Sequence, residues 1–128
     1  MKRNPRKTLK NKLDKLWSLV VRKRYPTCIV CGKSPTQAHH AISRRAQGLG
    51  VRWMVSNGIG LCFPCHMFKL HGNQGDAEFL MHYLERLNEC ITPEEQLNIK
   101  QVAHQIYKPS IEDMQEKAAE LTKLLEVS

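Results

Sequence analysis

The sequence predicts a small α+β domain clasped by zinc, with a basic N-terminal helix and a helical C-terminal extension. Two Cys-x-x-Cys pairs, Cys28 to Cys31 and Cys62 to Cys65, bracket a short irregular centre. Apolar residues recur at helical spacing before the first pair and after the second. The chain has 128 residues, of which 41% are hydrophobic, so it is one domain in length with a modest core that a zinc site would reinforce.

A basic amphipathic helix is predicted over residues 8–24. Its apolar residues repeat at helical spacing: Leu9, Leu13, Leu16, Trp17 and Val20. Lys10, Lys12 and Lys15 lie mostly off that stripe. Pro26 ends the helix, because the residue before a proline avoids helical backbone. We therefore expect one face of the helix to pack and the other to be basic.

Positive charge is concentrated in the first 75 residues. Residues 1–24 hold ten Lys/Arg and one acid, residues 25–75 hold five and no acid, and residues 76–128 hold five against eleven acids. These blocks carry net charges of +9, +5 and −6, within a total of +8. Such a field attracts a polyanion, and we expect DNA. A merely solubilising arm is the alternative when the arm is considered alone.

Two short strands and a helix are predicted between and just after the cysteine pairs. The strands are expected over residues 37–42 and 51–55, joined by a loop that carries Arg44 and Arg45. A helix is expected to begin near Pro64, whose fixed φ suits a first helical turn, and Gly72 would close it. The result is a strand, strand, helix unit held at both ends by zinc.

Three further helices are predicted in residues 76–128. Asp76 caps a helix to about residue 88, Thr92 to Glu95 form a capping box that opens a helix to about residue 107, and Ser110 opens the last. Apolar residues of the last helix follow a heptad-like spacing: Ile111, Met114, Ala118, Leu121 and Leu125. We expect this stripe to pack against its own domain, with a dimer seam as the alternative.

The cysteine count favours a metal over disulfides. Four of the five cysteines form the two pairs and Cys90 is left over, whereas a disulfide framework prefers an even number and a secretory signal, which is not visible. Four thiolates complete a closed tetrahedral structural Zn²⁺ site at Cys28, Cys31, Cys62 and Cys65. The neighbouring imidazoles are then free for a second task.

The ordered motifs resemble the HNH, or ββα-metal, nucleases in their zinc-clasped form, and within them the NinG/Rap family of phage recombination nucleases. The matching positions are Cys28 to Gly32, His40, Arg52-Trp53, Asn57 and Cys62 to Cys65; Gly72-Asn73 and the helical tail fit more loosely. The resemblance covers roughly residues 28–125. We accordingly divide the chain into a basic arm and helix (1–27), a zinc-clasped HNH core (28–75) and a helical scaffold with a candidate dimerisation element (76–128).

The resemblance implies metal-dependent endonucleolytic cleavage of DNA, leaving a 5′-phosphate and a 3′-hydroxyl. It further implies branched recombination intermediates, such as a four-way Holliday junction, as substrate. Symmetric cuts on such a junction need two active sites, so a homodimer would follow. The expected location is cytoplasmic, in the host cytoplasm if the protein is phage-encoded.

The motif positions also imply roles. His40 would be the general base, because imidazole is largely neutral near pH 7 and accepts a proton. Asn57 would fix the ring orientation and tautomer of His40. His66 and His39 would hold a catalytic divalent ion, Mg²⁺ or Mn²⁺. Because neighbouring residues of an ideal strand face opposite sides, His39 and His40 share a site only if the strand end is bent.

His71 follows His66 by five residues, which is about 500° on a regular helix, so the two rings are predicted to diverge by about 140°. We therefore expect His71 to contact phosphate or to lie near the helix end, unless the last turn is distorted. The same nucleic-acid-binding role is expected of Arg44, Arg45, Arg52, Lys69, Lys10, Lys12 and Lys15.

Plainer alternatives stand beside these roles. His40 could be a core histidine or a neighbour of the zinc site, Asn57 could be a turn residue, and the arginines could be ordinary surface charge. Trp53 is expected to pack in the core rather than stack on a base. The alternative function is a non-catalytic zinc-stabilised module that only binds nucleic acid.

Overall fold

The computed structural model describes residues 4–42, 50–105 and 107–127. Helix α1 runs over Pro5–Arg24, starting slightly before the predicted residue 8. The side chain of Asn4 caps it by accepting hydrogen bonds from the backbone N–H groups of Arg6 and Lys7, and Pro5 occupies the first turn. Its buried residues are Leu13, Trp17, Val20 and Val21, of which the first three belong to the predicted stripe. Leu9 and Leu16 of that stripe are partly buried.

The sheet has two antiparallel strands, β1 (Gln37–His40) and β2 (Gly58–Leu61). The first was predicted, but the expected strand over residues 51–55 is wrong. That segment forms turns and leads into a 3-10 turn at Val55–Asn57. In β2, Ile59 and Leu61 are fully buried in the core.

The glycines of β2 let helix α1 lie directly against the sheet. A Cβ atom on Gly58 would come within 2.3 Å of Val21 Cγ2, and one on Gly60 within 2.5 Å of the Cβ of Tyr25. Real Cβ atoms do not approach other carbons so closely, so only glycine allows this packing distance. The strand sequence Gly-Ile-Gly-Leu thus places large side chains on one face and leaves the face towards α1 without side chains.

A π-helical segment, Pro64–Leu70, begins within the second cysteine pair and contains Cys65, and its start matches the prediction from the proline at its first turn. The chain then continues into three α-helices: α2 (Ala77–Cys90), α3 (Pro93–Ala103) and α4 (Ile111–Glu126). The predicted caps are confirmed, since Asp76, Thr92 and Ser110 each accept a backbone N–H of the first turn. The full capping box is present at Ser110 with Asp113, whereas at Thr92 the Glu95 side chain contacts the Thr92 hydroxyl instead. Helix α3 ends earlier than the predicted residue 107.

Two apolar clusters form the interior. One packs the cysteine region and β2 against α2 and α3. The other packs α4 on α1: Met114, Ala118 and Leu121 lie with Leu13, Trp17, Val20, Val21 and Trp53. The apolar stripe of α4 therefore packs within its own chain, as expected, and Trp53 is buried as expected. None of the helices in the described ranges is long and apolar enough to cross a membrane.

Candidate functional site

The four paired cysteines form one cluster. Their sulfur atoms all lie within 4.8 Å of one another, and the Sγ atoms of Cys31 and Cys62 are 3.4 Å apart. The first pair sits on a tight turn in which the N–H of Gly32 donates to the Cys28 carbonyl (2.9 Å), with Gly32 at a φ of 76° that favours glycine. The second pair spans the end of β2 and the start of the π-helix. This cluster can hold a metal ion such as zinc, as predicted.

The environment of the cysteine cluster suits a cation. Burial by itself raises the pKa of the Cys28 thiol. Hydrogen bonds from the backbone N–H groups of Cys31, Cys62 and Val30 outweigh this effect and lower the pKa to about 7. Burial and the neighbouring sulfurs raise the pKa of Cys65. Adjacent thiolates repel each other unless a divalent ion neutralises them, so all four deprotonate together only around a metal.

Three histidines form a second cluster. His39 lies on β1, and His66 and His71 lie at the two ends of one turn of the π-helix. His39 Nδ1 is 3.2 Å from His66 Nε2 and 3.3 Å from His71 Nε2. Nitrogens bound about 2.1 Å from one metal ion lie roughly 3.0–3.4 Å apart, so both distances fit ligands of a single ion. All three nitrogens lie within 4.8 Å of one another, so the cluster could hold one.

The predicted divergence of His66 and His71 is wrong. The N–H of His71 donates to the carbonyl oxygen of His66 (3.1 Å), a hydrogen bond across five residues that makes a wider turn than an α-helix. Five residues therefore complete about one turn rather than about 500° of rotation. The two ring centroids lie 4.7 Å apart, which places His71 with the ligand candidates.

Protonation and tautomer in the histidine cluster also suit a metal. The Oε1 atom of Gln37 accepts a hydrogen bond from His66 Nδ1 (2.8 Å), so the proton of His66 is on Nδ1 and its Nε2 lone pair faces the cluster. Burial lowers the pKa of His39 to about 3, helped by the charges of His66, His71 and His40. Burial, and then His71, lowers the pKa of His66. At neutral pH both rings are therefore neutral, each with one ring nitrogen that carries no proton.

His40 is oriented separately from the cluster. Its ring stacks on Trp17 with centroids 3.8 Å apart and planes 8° from parallel. Its Nε2 donates to the backbone carbonyl of Arg52 (2.8 Å), so in the neutral ring the proton is on Nε2 and the lone pair is on Nδ1. Arg52 is itself fixed, since Nε and one terminal nitrogen bond both carboxylate oxygens of Asp14 at 2.8 and 2.6 Å.

His40 and the histidine cluster line one cleft of about 1040 Å³. It lies between α1, β1, the π-helix and α2, and its walls include Asp14, Ser18, Met67, Leu70 and Tyr83. The adjacent residues His39 and His40 thus reach one cavity. His39 turns to the rings of the π-helix and His40 to Trp17 of α1.

The predicted role of Asn57 is wrong. Its side chain is fully buried, and its described partners are backbone groups. The N–H of Ile42 donates to its Oδ1 (2.7 Å), while its Nδ2 donates to the carbonyls of Ile42 (2.9 Å) and Val51 (3.2 Å). Asn57 therefore closes the loop after β1 and does not orient the ring of His40 directly. Nothing in the sequence between Val51 and Asn57 indicated this hydrogen bond.

The expected DNA-contacting residues separate into groups. Arg44 and Arg45 lie outside the described residues. Two guanidinium nitrogens of Arg52 are already bonded to Asp14, so a phosphate contact from Arg52 stays a prediction. Lys69 is exposed and lies 5.6 Å over the ring of Phe79.

The three lysines of α1 are not equivalent. Lys12 borders a groove between α1 and α4 rather than the cleft. Lys10 precedes the cleft residue Asp14 by one helical turn, and Lys15 precedes the cleft residue Ser18 by three residues. Lys10 and Lys15 are therefore nearer to the cleft side of α1 than Lys12, and their contact with DNA stays a prediction.

The sequence did not reveal Gln37, Asp14 or Tyr83 as parts of this site. Each is an ordinary polar residue of a strand or helix with no motif around it. The only available signal was position, because Gln37 precedes His39 by two residues on the same face of β1. No protein-family model, curated protein or solved structure matches this chain, so its function is inferred from its own residues.

Proposed function

We propose that this protein is a metal-dependent endonuclease of the HNH type that hydrolyses phosphodiester bonds of DNA. The observation that carries the proposal is the cleft shared by two sets of histidines. Three imidazole nitrogens lie within 4.8 Å of one another there, with that of His39 3.2–3.3 Å from the other two, and a fourth imidazole, His40, lines the cleft but is bonded elsewhere. A ligand set beside a separately oriented base is what metal-assisted hydrolysis requires.

The order of elements supports an HNH core. Two antiparallel strands are followed by a short helix, with His39 and His40 on the first strand and His66 on the helix. The four-cysteine cluster lies at both ends of this unit. A module that only binds DNA needs the cysteines and the basic surface, but it has no use for four histidines in one cleft.

His39, His66 and His71 would hold the divalent ion. A cation held there supplies positive charge against the charge that builds on the phosphate and the leaving oxygen. Mg²⁺ prefers oxygen ligands, whereas imidazoles suit transition ions. Of the two predicted ions, this nitrogen set therefore favours Mn²⁺ over Mg²⁺, and Zn²⁺ is a further candidate.

His40 would accept the proton of the attacking water at Nδ1. The imidazolium that forms gains from two groups beside it. The Arg52 carbonyl accepts its Nε2–H, and the π face of Trp17 lies parallel to it at 3.8 Å. Asp14 holds Arg52 in place, so helix α1 helps to fix the base.

DNA is the proposed substrate because positive charge is concentrated on α1 and the cysteine and histidine region. Branched recombination intermediates, including four-way junctions, are the proposed form. Paired cuts on such a junction would require a homodimer. These finer proposals rest on the family resemblance of the motifs, and junction cleavage by the purified protein tests them.

The decisive experiment compares wild type with His40→Ala on plasmid and on synthetic junctions, with Mg²⁺, Mn²⁺ or Zn²⁺. We expect wild type to nick with a transition ion and His40→Ala to be slower by about 10²- to 10⁴-fold, as loss of a general base requires. His104→Ala is the matched control, because His104 is exposed at the end of α3.

Metal analysis of each variant shows whether the thiolate-bound zinc is retained. If wild type binds DNA but never nicks it, the non-catalytic zinc module is the correct function. If His40→Ala nicks as fast as wild type, His40 is not the base.

A further inference from the structure

Tyr83 is a buried polar residue of the cleft that has no part in the chemistry proposed above. It lies on α2, is only 6% exposed, and borders the same cavity as the histidines. Its ring stands edge-on to that of His39, with centroids 6.5 Å apart. The ring of Phe79 also contacts it, with centroids 6.4 Å apart and planes 14° from parallel.

The hydroxyl of Tyr83 has no hydrogen-bond partner within residues 4–42, 50–105 and 107–127. In those same ranges, no side-chain nitrogen or oxygen is fully buried without a partner. The hydroxyl must therefore reach solvent although the residue is nearly buried. The cleft is the cavity that Tyr83 lines, so its O–H opens into the cleft beside the histidine cluster.

We propose that Tyr83 is a substrate-contacting residue, whose hydroxyl donates a hydrogen bond to a non-bridging oxygen of the phosphate held beside His39, His66 and His71. A phenol keeps its proton at neutral pH, so it donates without adding charge to the ligand set. A donor already in place stabilises the extra charge of the transition state. This inference rests on the proposed nuclease function.

The test is Tyr83→Phe, which keeps the ring and removes only the hydroxyl. We expect kcat/KM for DNA cleavage with Mn²⁺ to fall about 10- to 100-fold, the loss typical of one hydrogen bond to a charged group. The Mn²⁺ affinity and the thermal unfolding midpoint should match wild type. Tyr107→Phe is the matched control, because Tyr107 is exposed and borders a different cavity, and it should cleave within about twofold of wild type.

Two results would overturn the inference. One is a Tyr83→Phe variant that cleaves within twofold of wild type. The other is a variant whose loss of cleavage is matched by loss of Mn²⁺ affinity or of folding, which would make Tyr83 a packing residue.

A second measurement separates this inference from the nuclease proposal. Inorganic phosphate is titrated into each Mn²⁺-loaded protein and followed by NMR, which needs no cleavage. We expect Tyr83→Phe to bind phosphate several-fold more weakly than wild type and Tyr107→Phe. If wild type cleaves no DNA but this difference holds, the nuclease proposal fails and the anion contact stands. If the phosphate affinities are equal, the anion contact fails as well.

Discussion

The four-cysteine cluster and the three-histidine cluster lie in one small domain but differ in composition and exposure. Three of the four cysteines are buried, and four sulfurs complete the coordination of a tetrahedral ion. The histidine cluster offers three nitrogens and borders a cleft of about 1040 Å³, so an ion held there would keep open positions. An ion in the cysteine cluster would therefore stabilise the fold, whereas an ion in the histidine cluster could bind a substrate.

The two clusters also differ in how the chain assembles them. Each cysteine pair is local, because Cys-x-x-Cys places two sulfurs on one turn. The histidine cluster needs β1 and the π-helix to meet, and these are joined across β2. The cysteine cluster lies at both ends of that unit, so the thiolate site is expected to hold together the elements that bring the histidines into contact.

The largest predicted effect tests whether the fold, and with it the histidine cluster, depends on the cysteine cluster. Cys65→Ser removes a ligand that is only 2% exposed, and should leave the protein unfolded. Zinc binding contributes about 10–16 kcal/mol in zinc-finger peptides. A whole domain is stable by only about 5–15 kcal/mol. Loss of zinc by metal analysis and of helical signal by circular dichroism would confirm the prediction.

The matched control is Cys90→Ser, since Cys90 lies outside the cluster on α2. It should keep both zinc and helical signal. A folded Cys65→Ser protein without zinc would contradict the division of roles between the two clusters.

Most of the cysteine side of this comparison could be predicted from sequence. Local spacing decides whether Cys28 and Cys31 can share an ion, and caps such as Asp76 and Ser110 mark helix starts by short-range hydrogen bonds. The apolar spacing of α4 was enough to predict that the helix packs within its own chain, although it did not identify α1 as the partner. Each of these rests on residues close together in the chain.

The histidine side could be predicted only in part. His39, His40 and His66 were found by their motif, but the π-helical turn that brings His71 to them has no local sequence signal. The role of the glycines of β2 was not predicted, because it depends on helix α1, which lies over 30 residues away. The position of His71 and the role of these glycines both depend on packing between distant parts of the chain, which the spacing of residues in the sequence does not reveal.

An intermediate effect is predicted for acid, and it acts on the histidine side. The pKa of His39 in the folded protein is about 3, below its ordinary value of 6.5, because of burial and neighbouring positive charge. Between these values the unfolded chain binds more protons, so the free energy of unfolding falls as pH decreases from 6.5 towards 3. His39→Asn should flatten this dependence by at most about 1.4 kcal/mol per pH unit, the slope for one proton.

Urea unfolding at several pH values, without an added second ion, measures this slope. Protonation of the cysteines affects wild type and variant alike, so their difference isolates His39. His104→Asn, at an exposed position, should keep the wild-type slope. Equal slopes for wild type and His39→Asn would show that His39 is not held neutral in the fold.

The smallest predicted effect concerns Gln37, which supports the histidine cluster without belonging to it. Its Oε1 accepts the Nδ1 proton of His66, which keeps the Nε2 lone pair facing the ligand position. Gln37→Leu keeps similar bulk and removes the acceptor, so Mn²⁺ affinity should fall about 10- to 100-fold, the usual cost of losing such a support.

Gln37→Glu restores an acceptor and should bind Mn²⁺ at least as tightly as wild type. Calorimetric titration of Mn²⁺ measures both, while the zinc content should remain unchanged because Gln37 is not a member of the cysteine cluster. Equal affinities for Gln37→Leu and wild type would mean that the cleft fixes the His66 ring by packing alone.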